Sequence, residues 1–287
     1  MTTTITFTKM QGTGNDYIYI NTFSQPVDLP DVASFVRFVS NRHKGIGSDG
    51  VIFISPSDVA DAKMDMYNAD GSVGLMCGNA IRCVAKYIYD NALCPKSDVL
   101  FIETLSGVKH IRLGIENNVV VSATVDMNAP ILTPAYIPTT LPSDTPLVDY
   151  PLAVGDITYP VTLVSMGNPH CVIFTSSVSD LTLAQIGPPI EQHVAFPDRI
   201  NTEFVEVISD THLKMRVWER GSGETMSCGT GACAAVVAAI SKNLCQKNTD
   251  ITVSLLGGDL IIKQTNDTVF MTGPCTTVFE GNLIYEA

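Results

Sequence analysis

Two cysteines in this chain stand where a thiol can do acid–base work. Cys77 follows a Gly/Asp turn and directly precedes Gly78-Asn79 and a helical pattern. Cys228 is placed in the same way before Gly229-Thr230-Gly231. A thiol at a helix start feels the positive end of the helix dipole and backbone N–H groups without helical partners, and both favour thiolate. The same N–H groups form a natural anion site, suited to a carboxylate, and glycine lets a ligand approach the backbone. Each half of the chain therefore offers one activated thiol beside one carboxylate-binding turn. Cys83, Cys94, Cys171, Cys233, Cys245 and Cys275 lack this context and read as small buried hydrophobes.

Two thiols facing one carbon acid would invert it. One thiolate takes the proton from one face, the opposite thiol returns a proton to the other, and the roles swap in reverse. No lysine stands in a recognisable cofactor motif, and Gly12-Thr13-Gly14 and Gly221-Ser222-Gly223 are too short for a dinucleotide fingerprint. The expectation is a mechanism with no cofactor, in which helix-start N–H groups hold the charge that builds on a substrate carboxylate. The chain has no C-x-x-C pair and its five histidines do not cluster, so no metal site is expected. Glu219 could accept an ammonium and Arg220 could clamp a carboxylate, although an exposed ion pair on a loop is their ordinary role. Asn15, Asn68, Asn79, Asn168 and Asn201 all fall at turns or strand ends, where asparagine is also common for local reasons. His170 is either a proton relay or structural.

These groups need a frame. Ile5 to Lys9 and Tyr17 to Asn21 read as strands about a Gly-rich turn, and Asp31 to Arg42 as a helix with Val32, Phe35, Val36 and Val39 on one face. Val51 to Ser55 and Lys63 to Tyr67 are strands. A helix follows Cys77, and Val99 to Thr104, His110 to Glu116 and Val119 to Asp126 alternate like a meander. Pro130 to Pro151 carries six prolines and reads as a connector over the surface. Strands follow at 161–165, 171–175, 203–208 and 212–218, then a helix over Gly229 to Lys242 that is small or apolar on nearly every face, as in a fully buried helix. Four strands close the chain, at 251–255, 259–264, 268–273 and 276–285.

The two series repeat. Gly14-Asn15 and Gly167-Asn168 lie 153 residues apart, as do the apolar runs from Val51 and Phe204, and Cys77-Gly78 and Cys228-Gly229 lie 151 apart. Three landmarks in one order at nearly one offset predict two copies of a module, against the alternative of chance agreement between short glycine motifs. A length of 287 residues fits two domains of about 150. A net charge of −12 disfavours a nucleic-acid partner. No apolar run reaches the ~18 residues of a membrane span, and the first residues show no secretory pattern. A cytoplasmic location with reduced thiols is the expectation.

At these motifs the chain resembles the diaminopimelate epimerase family over essentially its whole length. The resemblance rests on GTGND at 12–16, GIGSDG at 45–50, YNADGS at 67–72, MCGNAIRC at 76–83, GNPHCV at 167–172, NTEF at 201–204 and ERGSGETMSCGTGACA at 219–234. It implies an α/β (α+β) fold of two pseudo-symmetric domains, each a curled, mostly antiparallel, barrel-like β-sheet around a central helix. The domains would be 1–128 plus 275–287 with Cys77, and 129–274 with Cys228. It implies epimerisation of LL- to meso-diaminopimelate without pyridoxal phosphate, in lysine and peptidoglycan precursor synthesis, and a homodimer. Cys77 and Cys228 would be the acid–base pair, and Gly78-Asn79 and Gly229-Thr230 would hold the α-carboxylate. Glu219 and His170 would lie near the reacting centre, while Asn15, Asn68, Asn168, Asn201 and Arg220 would recognise the rest of the amino-acid substrate. The chain departs from the family's usual residues at Tyr17, Ala80 and Thr202, and Gly50 stands where some members have Gln. The competing readings are a proline racemase-like enzyme, a thiol redox protein joining Cys77 to Cys228, and a cysteine hydrolase using Cys228 and His170.

Overall fold

The computed structural model describes residues 2–286. The chain divides into two compact units, Met1–Val125 with Thr272–Ala287, and Asp126–Met271.

The first unit begins with β1 (Thr2–Gly12) and β2 (Asn15–Asn21). Helix α1 (Val32–Ser40) follows, and Asp31 caps it by accepting the Ser34 N–H at 2.9 Å. Then come β3 (Gly50–Ser55), β4 (Ala62–Asn68), the short β5 (Val73–Gly74), α2 (Gly78–Asp90), β6 (Val99–Thr104), β7 (Gly107–Glu116) and β8 (Val119–Asp126). β2 and β3 pair in parallel, Tyr17 opposite Gly50, and β4 and β6 also run parallel; β1–β2, β3–β4, β6–β7 and β7–β8 are antiparallel. The parallel pair explains the unbroken apolar runs Tyr17–Ile20 and Val51–Ile54, which are buried on both faces. Phe35, Val36 and Val39 of α1 pack against Ile18, Ile20, Val51 and Phe53.

The second unit repeats this order. A short 3₁₀ turn, Pro134–Tyr136, precedes β9 (Tyr150–Val154), β10 (Ile157–Ser165), β11 (Pro169–Thr175), α3 (Leu183–Glu191), β12 (Asn201–Ser209) and β13 (His212–Glu219). The short β14 (Gly223–Glu224), α4 (Gly229–Ser241), β15 (Ile251–Leu255), β16 (Gly258–Gln264) and β17 (Val269–Pro274) follow. The final strand β18 (Thr276–Glu286) belongs to the first unit and pairs antiparallel with β1. β11–β12 and β13–β15 are parallel, matching β2–β3 and β4–β6 in sense and place. The duplication predicted from sequence is therefore present in topology, in an α+β architecture of mostly antiparallel sheets.

Both central helices have 13 residues and begin immediately after a cysteine. α4 touches β10, β11, β12, β13, β15 and β16. Ala232 to Ala239 are all fully buried, and each valine among them contributes about 1.5–3 kcal/mol of burial. Its small residues let strands approach from every side, so the lack of an amphipathic pattern is itself the signature of its place.

Two expectations need correction. Pro130 to Pro151 is not a surface connector throughout: Ile137 and Leu147 are buried in the second unit's core with Leu152 and Phe196. Helix α3 has no counterpart among the expected elements, and it holds Pro188 and Pro189, which lack the N–H of a helix ladder. The prolines fall in its last turns, and Gly187 is needed because a Cβ there would collide with the Trp218 ring.

Candidate active site

The sequence-selected residues fall into two sets, one in each unit. In the first unit, Cys77 occupies the cap position of α2 in extended backbone (φ −131°, ψ 120°) and is half-buried. Its thiol donates to Asn15 Oδ1 at 3.3 Å. Asn15 in turn donates through Nδ2 to Asp49 Oδ2 at 2.7 Å, and Arg42 bridges Asp16 and Asp49 at 2.6 and 2.9 Å. Asn15 is placed by Gly14, whose φ of +81° is natural only for glycine. Asn68 ends β4 and donates to Ser72 Oγ at 3.0 Å, which closes its own turn. Asn79 is buried, and its Oδ1 accepts from Arg82 Nη1 at 2.9 Å. That side chain points inward. Gly50 has no room for a side chain, since a Cβ would collide with the Tyr67 carbonyl and the Tyr17 ring.

Arg82 is a site residue that sequence reasoning passed over. Its side chain is fully buried, with Nη1 also donating to Gly78 O at 3.2 Å, Nε to Pro274 O at 3.2 Å and Nη2 to Thr13 Oγ1 at 3.4 Å. A buried guanidinium with these acceptors ties the first turn of α2 to the Gly12-Thr13-Gly14 turn. The available signal was an arginine beside the apolar inward positions Ile81, Val84, Ala85 and Ile88 of one helix.

In the second unit, Cys228 caps α4 and is buried. Its sulfur accepts the Gly231 N–H at 3.4 Å and lies 3.5 Å from Thr230 Oγ1. Thr230 accepts from Asn168 Nδ2 at 3.2 Å, and Asn168 Oδ1 lies 3.0 Å from His170 Nε2. The other ring nitrogen, Nδ1, lies 2.7 Å from Glu203 Oε1. His170 and Glu203 are fully buried. Strand register explains their meeting: Glu203 stands opposite Val172 in the parallel pair, and Val172 shares a face with His170. α4 covers that face, and a Cβ on Gly231 would lie 2.6 Å from Glu203 Oε1.

Burial, then the Glu219 and Glu203 carboxyl groups, push the Cys228 thiol well above the ordinary cysteine range, against the Thr230 and Gly231 hydrogen bonds. The expectation that the helix start favours thiolate is thus corrected here: desolvation and negative neighbours outweigh the dipole. Burial likewise raises Glu219, whose carboxyl accepts from the Thr225 hydroxyl. Burial pushes Cys83 up to about 11 and Cys171 well up, which fits them as packing residues.

The Glu219-Arg220-Gly221 turn is held by a second residue missed in the sequence, Glu191 of α3. Its Oε1 accepts the Gly221 N–H at 2.9 Å, and its Oε2 accepts from Trp218 Nε1 at 2.8 Å. Asn201 adds a clamp, donating to Pro169 O at 2.8 Å and accepting the Arg220 N–H at 2.9 Å. The Arg220 side chain is exposed, with Nη1 donating to Asp198 O at 3.1 Å. Gly229 is buried at the start of α4. Among the described residues, no three His, Cys, Asp or Glu side chains gather as a metal site.

A family model described as Diaminopimelate epimerase matches residues 7–132 and 162–278. A diaminopimelate epimerase of Methanococcus maripaludis is 50% identical over 279 residues, covering 96% of this chain and 99% of that one. One from Bacillus cytotoxicus is 46% identical over 281 residues, covering 98% and 96%. Among solved structures, a hydroxyproline epimerase from Agrobacterium vitis with bound trans-4-hydroxy-L-proline shares the fold at a TM-score of 0.68 and 12% identity, over 98% of this chain and 91% of that one. A PhzF-family phenazine biosynthesis protein of Bacillus anthracis does so at 0.68 and 13%, over 99% and 100%. With the family model spanning both cysteine-capped helices and relatives alike at half of all positions, the chain belongs to the diaminopimelate epimerase family.

Proposed function

We propose that this isomerase epimerises LL-2,6-diaminopimelate to meso-diaminopimelate, without pyridoxal phosphate, using Cys77 and Cys228 as its acid–base pair. The observation that carries the reading is the cysteine at the start of each buried central helix, repeated in one topological frame. One thiolate removes the α-proton while the other thiol delivers a proton to the opposite face, so each turnover exchanges which sulfur holds hydrogen. The backbone N–H groups of Gly78-Asn79 and of Gly229-Thr230 bind the α-carboxylate and take up the charge that develops on it. Glu219 and His170 serve the reacting centre and its ammonium. Asn15, Asn68, Asn168, Asn201 and Arg220 read the remainder of the substrate. Asn168 retains a second lone pair and a second amide hydrogen for that role beyond its bonds to His170 and Thr230. The two domains, 1–128 with 275–287 and 129–274, each carry one thiol.

The pathway role is supply of meso-diaminopimelate for lysine and peptidoglycan precursors, in the cytoplasm and as a homodimer. No helix among the described residues is long and apolar enough to cross a membrane. The test is incubation with LL-diaminopimelate in deuterium oxide. Deuterium should enter one α-position as meso product forms, and absence of both would sink the reading. Equal exchange of lysine, which lacks the distal carboxylate, would favour a general amino-acid racemase.

A further inference from the structure

Cys228 terminates a line of polar groups that runs back into the core. In order the groups are Glu203, His170, Asn168, Thr230 and Cys228, joined by separations of 2.7, 3.0, 3.2 and 3.5 Å. Each link has a direction. Both His170 ring nitrogens face oxygen acceptors, so this order is that of the imidazolium paired with the Glu203 carboxylate: Nδ1–H donates to Glu203, Nε2–H donates to Asn168 Oδ1, and Asn168 Nδ2–H donates to Thr230 Oγ1. The Thr230 hydroxyl hydrogen is then left for the Cys228 sulfur, beside the Gly231 N–H that already points there. Donors in one line polarise one another, so the order is cooperative.

We propose that Glu203 is a positioning residue for Cys228, setting the direction of hydrogen-bond donation along His170, Asn168 and Thr230 so that the sulfur receives two donors when it becomes thiolate. The proposal rests on the reading of Cys228 as an acid–base group. It accounts for a feature that packing does not: Glu203 is fully buried, one oxygen is held by His170, and the other, Oε2, has no hydrogen-bond partner among the described residues. A buried carboxyl group so incompletely bonded is costly and calls for an explanation. It also explains the glycine at 231, since a larger residue would strike Glu203 Oε1.

The alternative order is equally continuous. Without the carboxylate charge to pair with an imidazolium, His170 is neutral, keeps its hydrogen on Nδ1 and presents a lone pair at Nε2. The Asn168 amide turns end for end, Thr230 donates to Asn168 Oδ1, and the Cys228 S–H donates to Thr230. The thiol then points into the protein and loses a donor as thiolate. The ionisable groups facing Cys228 are Glu219 from β13, Glu203 from β12 and, through the line, His170 from β11. A direct through-space action of the Glu203 charge has the opposite sign, because removing it would ease thiolate formation.

The experiment is alkylation of the whole protein by iodoacetamide, followed by peptide mass spectrometry, at pH values spanning the ordinary cysteine value of 9.0. Cys77 in the same digests is the internal reference. Glu203→Gln and Thr230→Val should each slow Cys228 alkylation about tenfold, as expected for loss of one hydrogen bond to a charged sulfur, with Cys77 unchanged. Thr230→Ser should restore the rate, and in the Thr230→Val background Glu203→Gln should no longer slow alkylation. Unchanged or faster Cys228 alkylation in Glu203→Gln overturns the proposal, as does a Glu203→Gln effect that persists in full without the threonine hydroxyl. If Glu203→Gln does not fold, the Thr230 pair decides, and equal rates for Thr230→Val and Thr230→Ser overturn it. Full turnover by Cys228→Ala would instead overturn the epimerase reading, which alkylation does not measure.

Discussion

The helix starts of α2 and α4 occupy equivalent places in the duplicated frame, yet they carry different charged groups. On α2 the buried guanidinium of Arg82 bonds the Gly78 carbonyl next to Cys77, at the place in the helix that Cys233 takes in α4. Around Cys228 lie two carboxyl groups, Glu219 and Glu203. The strand registers place Ile52 opposite Tyr19 where Glu203 stands opposite Val172, and Tyr17 where the second unit has His170. The hydrogen bonds differ in direction too: the Cys77 thiol donates to Asn15, whereas the Cys228 sulfur accepts from Gly231. A duplicated scaffold fixes where a thiol sits. The few inward residues that diverged between copies set which polar groups stand around it.

The largest effect should come from abolishing either side of this pair. Cys77→Ala and Cys228→Ala should each lower epimerisation of LL-diaminopimelate by about 10³-fold or more, measured as meso product by chiral chromatography. Cys83→Ala and Cys245→Ala should retain most activity. Near-normal turnover in either of the first two would remove the comparison altogether.

Removing the buried cation of α2 sharpens it. Arg82→Met removes one donor each from the Asn79 side chain and the Gly78 and Pro274 carbonyls, and should destabilise the protein by about 2–4 kcal/mol in urea unfolding. A change under about 0.5 kcal/mol would mean that Arg82 is incidental to α2.

A smaller loss should follow Glu191→Ala. The Gly221 N–H and Trp218 Nε1 lose their acceptor, so the turn carrying Glu219 and Arg220 loosens. kcat/KM should fall about tenfold, with kcat falling as well as KM rising, because remote anchoring positions the reacting carbon. An unchanged kcat would confine Glu191 to binding.

The smallest effect concerns alkaline stability. Burial holds the Cys228 thiol protonated, so as pH rises through 9.0 the unfolded chain ionises first and the folded state loses stability until its own raised value is reached. Cys228→Ser should reduce the alkaline fall in Tm by a few degrees, seen by differential scanning calorimetry at paired pH values. An identical fall in both proteins would show that the thiol is not held protonated by its surroundings.

Much of this was legible in the sequence, for local reasons. Cys77 and Cys228 were visible because a helix start is announced by the residues around it, and α4 because its apolar residues go all the way round. The duplication was visible because glycine turns keep their spacing. Glu203 was not singled out, although NTEF was read, because its partner His170 lies 33 residues away and is brought near only by parallel strand register. Arg82 and Glu191 were missed for a related reason: a charged residue is taken as exposed unless its acceptors or donors are known, and theirs come from distant segments. α3 carries two adjacent prolines, which local rules do not place inside a helix.

The pairing of β1 with β18 bears on how the molecule comes into being. Along the chain these neighbours are separated by the whole of the second unit, with Thr3 opposite Tyr285 and Phe7 opposite Gly281. As the polypeptide leaves the ribosome, β1 emerges with one edge unpaired and waits through the synthesis of everything between. The second unit, contiguous over Asp126–Met271, can close as soon as it has emerged. The thiol made first therefore belongs to the half completed last, and a truncation that removes only β18 would strand Cys77 in an unfinished sheet while leaving every residue around Cys228 in place.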